Sequence, residues 1–166
     1  MSALRPLVDD RARAAIDSIG LPIAVTTAVR DRDGRLLDFR FAGVNLAAAA
    51  WAGLDRAAML GRLATDLLPG LRPMGLFDEL EQVVRTGKPF RQTGRYVGIV
   101  EAGRPFDGTY DLLALRHGDG YLGAWAERDD AGTPVDLDIA LGRVRDAVPL
   151  IRLKASATPL RLSPAT

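Results

Sequence analysis

The chain contains no cysteine and a single histidine, His117, among 166 residues. The first absence excludes disulfides, thiolate metal sites and thiol nucleophiles. The second means that any nucleophile, base and acid set must run through His117, and no Gly-x-Ser-x-Gly elbow accompanies it. Charge of one sign is lacking too: 22 Lys and Arg stand interspersed with 21 Asp and Glu, for a net charge of +1. Phosphate binding is driven by clustered cations, so nucleic acid is not an expected partner. No apolar run reaches the ~18 residues of a membrane span. Residues 4–19 interleave Arg5, Asp9, Asp10, Arg11, Arg13 and Asp17 with apolar positions, which leaves no leader-type hydrophobic stretch. No membrane partner is expected, and the cytoplasm is the expected compartment.

With 48% apolar and 26% charged residues, the chain suits one globular domain with a core of ordinary size. Leu4, Leu7, Val8, Ala12, Ala15, Ile16 and Ile19 recur at spacings of three and four and predict a helix with one apolar stripe. Gly20 is placed to end it in a left-handed conformation, and Pro22 to prevent its continuation. The stripe suits either a lid on the domain's own sheet or a dimer interface built on Leu4, Leu7, Val8, Ala12 and Ile16. Residues 23–29 and 35–44 read as strands joined by a hairpin turn at Asp33-Gly34. In the second strand Leu37, Phe39 and Phe41 share one face, and Asp38 and Arg40 the other.

Asn45 is a cap for an Ala-rich helix through Trp51, and Asp55 for another turn that stops before Gly61. A third short piece covers 65–68. Pro73 suits the first turn of a longer helix that buries Leu76, Phe77, Leu80, Val83 and Val84 and stops at Gly87. Three strands follow, over 90–100, 106–116 and 120–127, paired antiparallel in sequence order. Beyond Asp130, the residues Val135, Ile139, Leu141, Val144 and Val148 predict one more helix ending before Pro149. Residues 150–166 read as a solvated tail or linker.

At Asp33-Gly34-Arg35, Asn45-Leu46-Ala47, Leu60-Gly61-Arg62, Asp66-Leu67-Leu68, Thr86-Gly87 and Gly118-Asp119-Gly120-Tyr121, the chain resembles a PAS domain of the bacterial signalling sensor type. The order and spacing of these motifs carry the resemblance, which covers about residues 16 to 129. It implies an α+β fold: a five-stranded antiparallel sheet with short helices and one longer helix on one face, flanked by an N-terminal amphipathic helix. It divides the chain into a flanking helix (1–20), the PAS-like domain (21–130) and a C-terminal helix with tail or linker (131–166). The implied function is that of a sensory or regulatory module in signal transduction, acting through protein contacts and homodimerisation without catalysis. No kinase, cyclase, phosphatase or DNA-binding motif occurs in the remaining residues, so the output belongs to a partner protein or a fused domain. The close departs from the family's Arg-Asp-Ile-Thr pattern: it reads Ala126-Glu127-Arg128-Asp129.

The resemblance also frames the available chemistry. A haem-binding PAS domain presents its histidine from a helix, whereas His117 sits in a turn, so haem is not expected. The photoactive flavin branch needs the cysteine this chain lacks. Noncovalent flavin needs none, and Asn45, Trp51 and Trp125 are candidates to border such a ring. The alternative to a contact module is therefore a sensor of an apolar molecule or flavin, and the second alternative a small α+β enzyme using His117. Glu79 with Glu81 and Asp129 with Asp130 read as solvated carboxylates, and Gly94, Gly98, Gly103 and Gly108 form no phosphate loop. If the family's architecture holds, an apolar concavity is lined by Phe39, Phe41, Phe77, Leu80, Val84, Leu113, Leu115 and Trp125. Close packing of protein interiors favours a filled core there over an open cavity, with no cofactor.

Overall fold

A computed structural model of the chain describes residues 10–101 and 104–144. The Asp33-Gly34 pair turns the chain as its sequence predicts: Gly34 takes φ +83°, and the Asp31 carboxylate accepts the amides of Asp33 and Arg35. The strands on either side are β1 (Ile23–Arg30) and β2 (Leu36–Val44). Asn45 then caps α2 (Leu46–Ala52), its side-chain oxygen accepting the Ala48 amide. Short helices α3 (Arg56–Met59) and α4 (Ala64–Leu67) and a 3₁₀ turn (Pro69–Leu71) follow. The long helix α5 (Leu76–Thr86) buries Phe77, Leu80, Val83 and Val84 on one stripe, each worth on the order of 1.5–3 kcal/mol, and stops at Gly87 in the left-handed region. Strands β3 (Phe90–Glu101), β4 (Arg104–Arg116) and β5 (Tyr121–Glu127) complete one antiparallel sheet in the order β2-β1-β5-β4-β3.

Helices cover both faces of this sheet. On one face α2 to α5 enclose a cluster around Phe39, Phe41, Met59, Phe77 and Tyr121. On the other, α1 (Asp10–Asp17) and a helix α6 over 137–144 bury Ile16, Ile19, Leu137, Leu141 and Val144 against Ile23, Val25, Leu113, Leu122, Ala124 and Ala126. No helix among the described residues is long and apolar enough to cross a membrane.

Two buried polar groups fasten the flanking helices to the sheet. Asn45, fully buried, accepts the amides of Ile23 and Ala48 at 2.9 Å and donates to the carbonyls of Ile16, Ile19 and Leu21. Asp111 on β4, also buried, accepts from Arg128 on one oxygen at 2.7 and 3.0 Å, from the Gly94 amide at 2.8 Å, and on its other oxygen from the Val135 amide at 2.8 Å. Gly94, at φ +66°, lies in a bulge where Gln92 and Arg95 pair with Leu112 and Tyr110.

Several expectations are corrected. Gly20 does not adopt a left-handed conformation; α1 ends at Asp17, and the Ser18 hydroxyl donates to the Ala15 carbonyl. Leu37 does not share the face of Phe39 and Phe41: it falls in a bulge, because Val29 pairs with Asp38 and Arg30 with Leu36, and it is 46% exposed. Asp38 is buried instead, bonded to the Thr65 hydroxyl and amide. Pro73 precedes α5 rather than opening it, since Gly75 at φ +78° starts that helix. Asp55 stands at the start of α3 without a side-chain cap bond. In α6 the buried stripe is Leu137, Ala140, Leu141 and Val144, with Ile139 63% exposed. Leu4, Leu7 and Val8, the Ala102-Gly103 turn, Val148 and the tail lie outside the described residues.

Candidate functional site

Between the sheet and its helical cover lies an apolar cavity of about 120 Å³, partly open to solvent. Its floor is a row of small residues that the strand register sets side by side: Gly123 of β5 pairs with Ala24 of β1 on one side and Ala114 of β4 on the other. Three neighbouring positions without bulk leave a depression in the sheet that no single strand's sequence shows. The cover comes from Trp51 of α2, Leu68, Leu71 and Met74 of the connection, and Leu76 and Leu80 of α5. Phe90 and Val97 of β3 close one side.

Part of the wall is aromatic. The rings of Trp51 and Trp125 meet edge to face at 5.2 Å and 73°, and Trp51 stands edge-on to Tyr110 at 6.3 Å and 89°. The Trp51 indole N–H donates to the Tyr110 hydroxyl at 3.4 Å. Burial pushes the Tyr110 phenol up, against the Trp51 hydrogen bond, and burial pushes Tyr121 up strongly, so both stay neutral. The indole nitrogen of Trp125 is buried with no hydrogen-bond partner. Among the described residues no charged side chain lines the cavity.

Of the sequence-derived lining set, Phe41, Leu80, Leu113 and Trp125 border this space. Phe39, Phe77 and Val84 lie beside it in the filled part of the same layer, where Phe39 packs on Phe77 at 5.5 Å and on Tyr121 at 4.9 Å. Leu115 packs against the opposite cluster, to which Leu113 also belongs. The cause is alternation on β4: Tyr110, Leu112 and Ala114 face the cavity layer, so Leu113 and Leu115 turn toward α1 and α6. Because both faces are covered and apolar, hydrophobicity alone does not tell them apart. Asn45 is consumed by the α1–α2 junction and does not line the cavity, whereas Trp51 and Trp125 do. Tyr110, Leu112 and the Ala24–Gly123–Ala114 row were missed; their signal is the cross-strand register, which needs the paired sheet.

His117 lies in the β4–β5 turn, its amide donating to the Gly120 carbonyl, and is not among the cavity's lining residues. Of the proposed dimer contacts, Ile16 is fully buried within this domain and Ala12 lies on α1. Glu79, Asp129 and Asp130 are exposed and Glu81 partly so. Among the described residues no group of His, Asp or Glu is arranged to hold a metal.

Among solved structures the chain is similar to the LOV protein of Rhodobacter sphaeroides, with TM-score 0.51 and 14% identity, covering 92% of this chain and 96% of that one. It also matches a domain of a sensory box sensor histidine kinase/response regulator from Geobacter sulfurreducens (TM-score 0.48, 23% identity, 71% of this chain and 92% of that one). The PAS domain of Bordetella pertussis BvgS matches with TM-score 0.46 and 22% identity over 83% and 96% of the two chains. At such identities the likeness speaks for the fold, and the Rhodobacter match carries it. Compared by sequence with curated proteins, the chain matches none. A family model for the PAS fold matches residues 17–128, well over half of the chain, and the chain therefore belongs to the PAS family of sensory domains.

Proposed function

We propose that this PAS domain is a regulatory module of bacterial cytoplasmic signalling that senses a small apolar ligand in the cavity. Occupancy passes by protein contact to an output partner or fused output domain, and the domain performs no catalysis of its own. The cavity carries this reading. A void of about 120 Å³ forgoes on the order of 3 kcal/mol of packing, a cost that a sensor recovers when its ligand binds. The strands that form the floor also hold Leu122 and Ala126 on their far face, under α1 and α6. A shift of the floor is thereby felt by the flanking helices.

Among the described lining residues the polar groups are two tyrosine hydroxyls and two indole N–H groups, with no cation, which favours an apolar ligand over a flavin. Homodimerisation would rest on Leu4, Leu7 and Val8, because Ile16 is spent inside the domain. Light scattering on the whole chain and on one starting at residue 10 tests it; two unchanged monomers sink that part.

The cavity reading is tested by thermal shift with benzene, toluene and indole. A ligand at a hundred times its Kd adds about 2.7 kcal/mol and raises Tm by several degrees. Leu80→Trp, which fills the space, is expected to abolish the response. If no compound moves Tm and the freshly purified protein has its bare sequence mass, the reading is abandoned.

A further inference from the structure

Aromatic residues make up 6% of the sequence but a third of the cavity wall, where Phe41, Trp51, Phe90, Tyr110, Tyr121 and Trp125 stand among the lining residues. Burial alone does not explain this concentration. The core on the other face of the same sheet, under α1 and α6, is built from Ile, Val, Leu and Ala, with no aromatic ring among the described residues. The rings are gathered on the side that has a cavity.

Their orientation gives the wall a preference. Trp51 stands at 89° to Tyr110 and at 73° to Trp125. A guest ring parallel to Trp51 would lie at the same steep angles to both neighbours, close to the arrangement in which the positive edge of one ring meets the negative face of another. A saturated ring has no such face and gains only from the area it removes from water. The floor leaves room for the guest. Ala24, Gly123 and Ala114 carry at most a methyl group, and a Cβ on Gly123 would come within 3.1 Å of the Tyr121 ring. The volume of about 120 Å³ compares with the roughly 150 Å³ of an apolar cavity that takes up benzene.

We infer that the cavity is selective for a single aromatic ring over a saturated ring of equal bulk, and that Trp51, with Tyr110 and Trp125 set across it, determines this preference. The inference rests on the ligand-sensing reading above and adds to it the ligand's chemical class and a specificity-determining residue.

Benzene, toluene and cyclohexane separate bulk from aromaticity: benzene matches cyclohexane in carbon count, and toluene comes closer to it in bulk. Cyclohexane leaves water the most readily, so apolar transfer alone ranks it first. In the full chain, labelled with ¹³C at the alanine methyls, the floor methyls of Ala24 and Ala114 report occupancy, assigned with Ala24→Ser and Ala114→Ser. Toluene is expected to bind about fivefold more tightly than cyclohexane, within the roughly two- to tenfold that one aromatic pair adds beyond its buried area. Benzene is expected to bind more tightly than cyclohexane as well. In Trp51→Leu the advantage of toluene over cyclohexane should fall within about twofold. An order that puts cyclohexane level with or ahead of either aromatic compound, or an advantage that persists in Trp51→Leu, overturns the inference and leaves the cavity as a sensor of apolar bulk. Failure of all three compounds to move the floor methyls counts against the cavity reading itself. Should Trp51→Leu fail to fold, the ranking of the three compounds by the unaltered chain still decides.

Discussion

Asp111→Asn removes one charge and almost no volume, so its effect isolates the electrostatics of the junction between β4, the end of β5 and the segment leading to α6. In the folded chain one carboxylate oxygen holds Arg128 twice and the Gly94 amide, and the other holds the Val135 amide. An asparagine keeps one oxygen. Placed toward Arg128, it turns its NH₂ against the Val135 N–H, leaving a buried donor facing a donor at about 1–3 kcal/mol. The remaining bonds to Arg128 lose their charge assistance, roughly half their strength. Loss of one partner of a buried pair costs about 3–5 kcal/mol; with the Arg128 side chain 17% exposed, the low end applies. About 3 kcal/mol corresponds to a Tm shift on the order of 10 °C in a domain of this size.

The pH dependence follows from the same contacts. Burial alone raises the Asp111 carboxyl, but the Arg128 hydrogen bonds and the Val135 and Gly94 amides outweigh it and hold it below the ordinary carboxylate range. In the unfolded chain it titrates near about 3.9. Between the two values the unfolded state binds more protons, so the stabilisation is present above about pH 4 and is lost as pH falls through the lower folded value. Urea midpoints of the two chains should differ by a constant amount from pH 5 to 7 and converge in more acid solution. Equal midpoints at pH 7, or a gap that persists after the carboxyl is protonated, would refute the reasoning. Hydrogen exchange at the Val135 amide should accelerate in the variant before that of the β4 core does.

Asn45→Ala is expected to cost about 2–4 kcal/mol in chemical denaturation, since it strands two amides and three carbonyls in the interior. Asn45→Asp should be no better, because a carboxylate would face those carbonyls; a fully stable aspartate variant would contradict this account. Gly120→Ala should prevent folding or cost at least about 3 kcal/mol, because its Cβ would lie 2.0 Å from the Thr26 carbonyl oxygen. Gly34→Ala, at positive φ with open space around it, should cost only about 1 kcal/mol by circular-dichroism melting. In a spectrophotometric alkaline titration the Tyr121 phenol, pushed up by burial, should stay silent until the chain unfolds; ionisation alongside an exposed tyrosine would show that it is not enclosed.

Local rules carried the reading of turns and caps. Asp33-Gly34, the Asn45 cap and the Gly87 stop each follow from one or two residues, and all three stand in the structure. The order of such signals was enough to identify the family. What escaped depends on partners far along the chain. Leu37 leaves its expected face because a bulge sits opposite Val29 and Arg30, and Asp38 is tolerated inside because Thr65, 27 residues on, satisfies it. The cavity floor exists only where three strands meet in register, so Ala24, Ala114 and Gly123 look unremarkable one at a time. Leu115 was assigned to the wrong layer because a sheet covered on both faces has apolar residues at consecutive positions, and the two-residue period loses its meaning.

The strand order has a consequence for synthesis. The middle strand, β5, is the last strand of the sheet to be made, and it joins two hairpins, β1 with β2 and β3 with β4, that can pair beforehand. Until residues 121–127 leave the ribosome, β1 and β4 each expose a full row of unpaired amides and carbonyls along the inner edge. The contact of Ile23 with Ala124 closes nearly the whole domain at once, which places the slow, non-local step at the end of translation. A nascent chain stalled before Tyr121 would be a pair of sticky half-sheets, the form in which this protein most needs a chaperone.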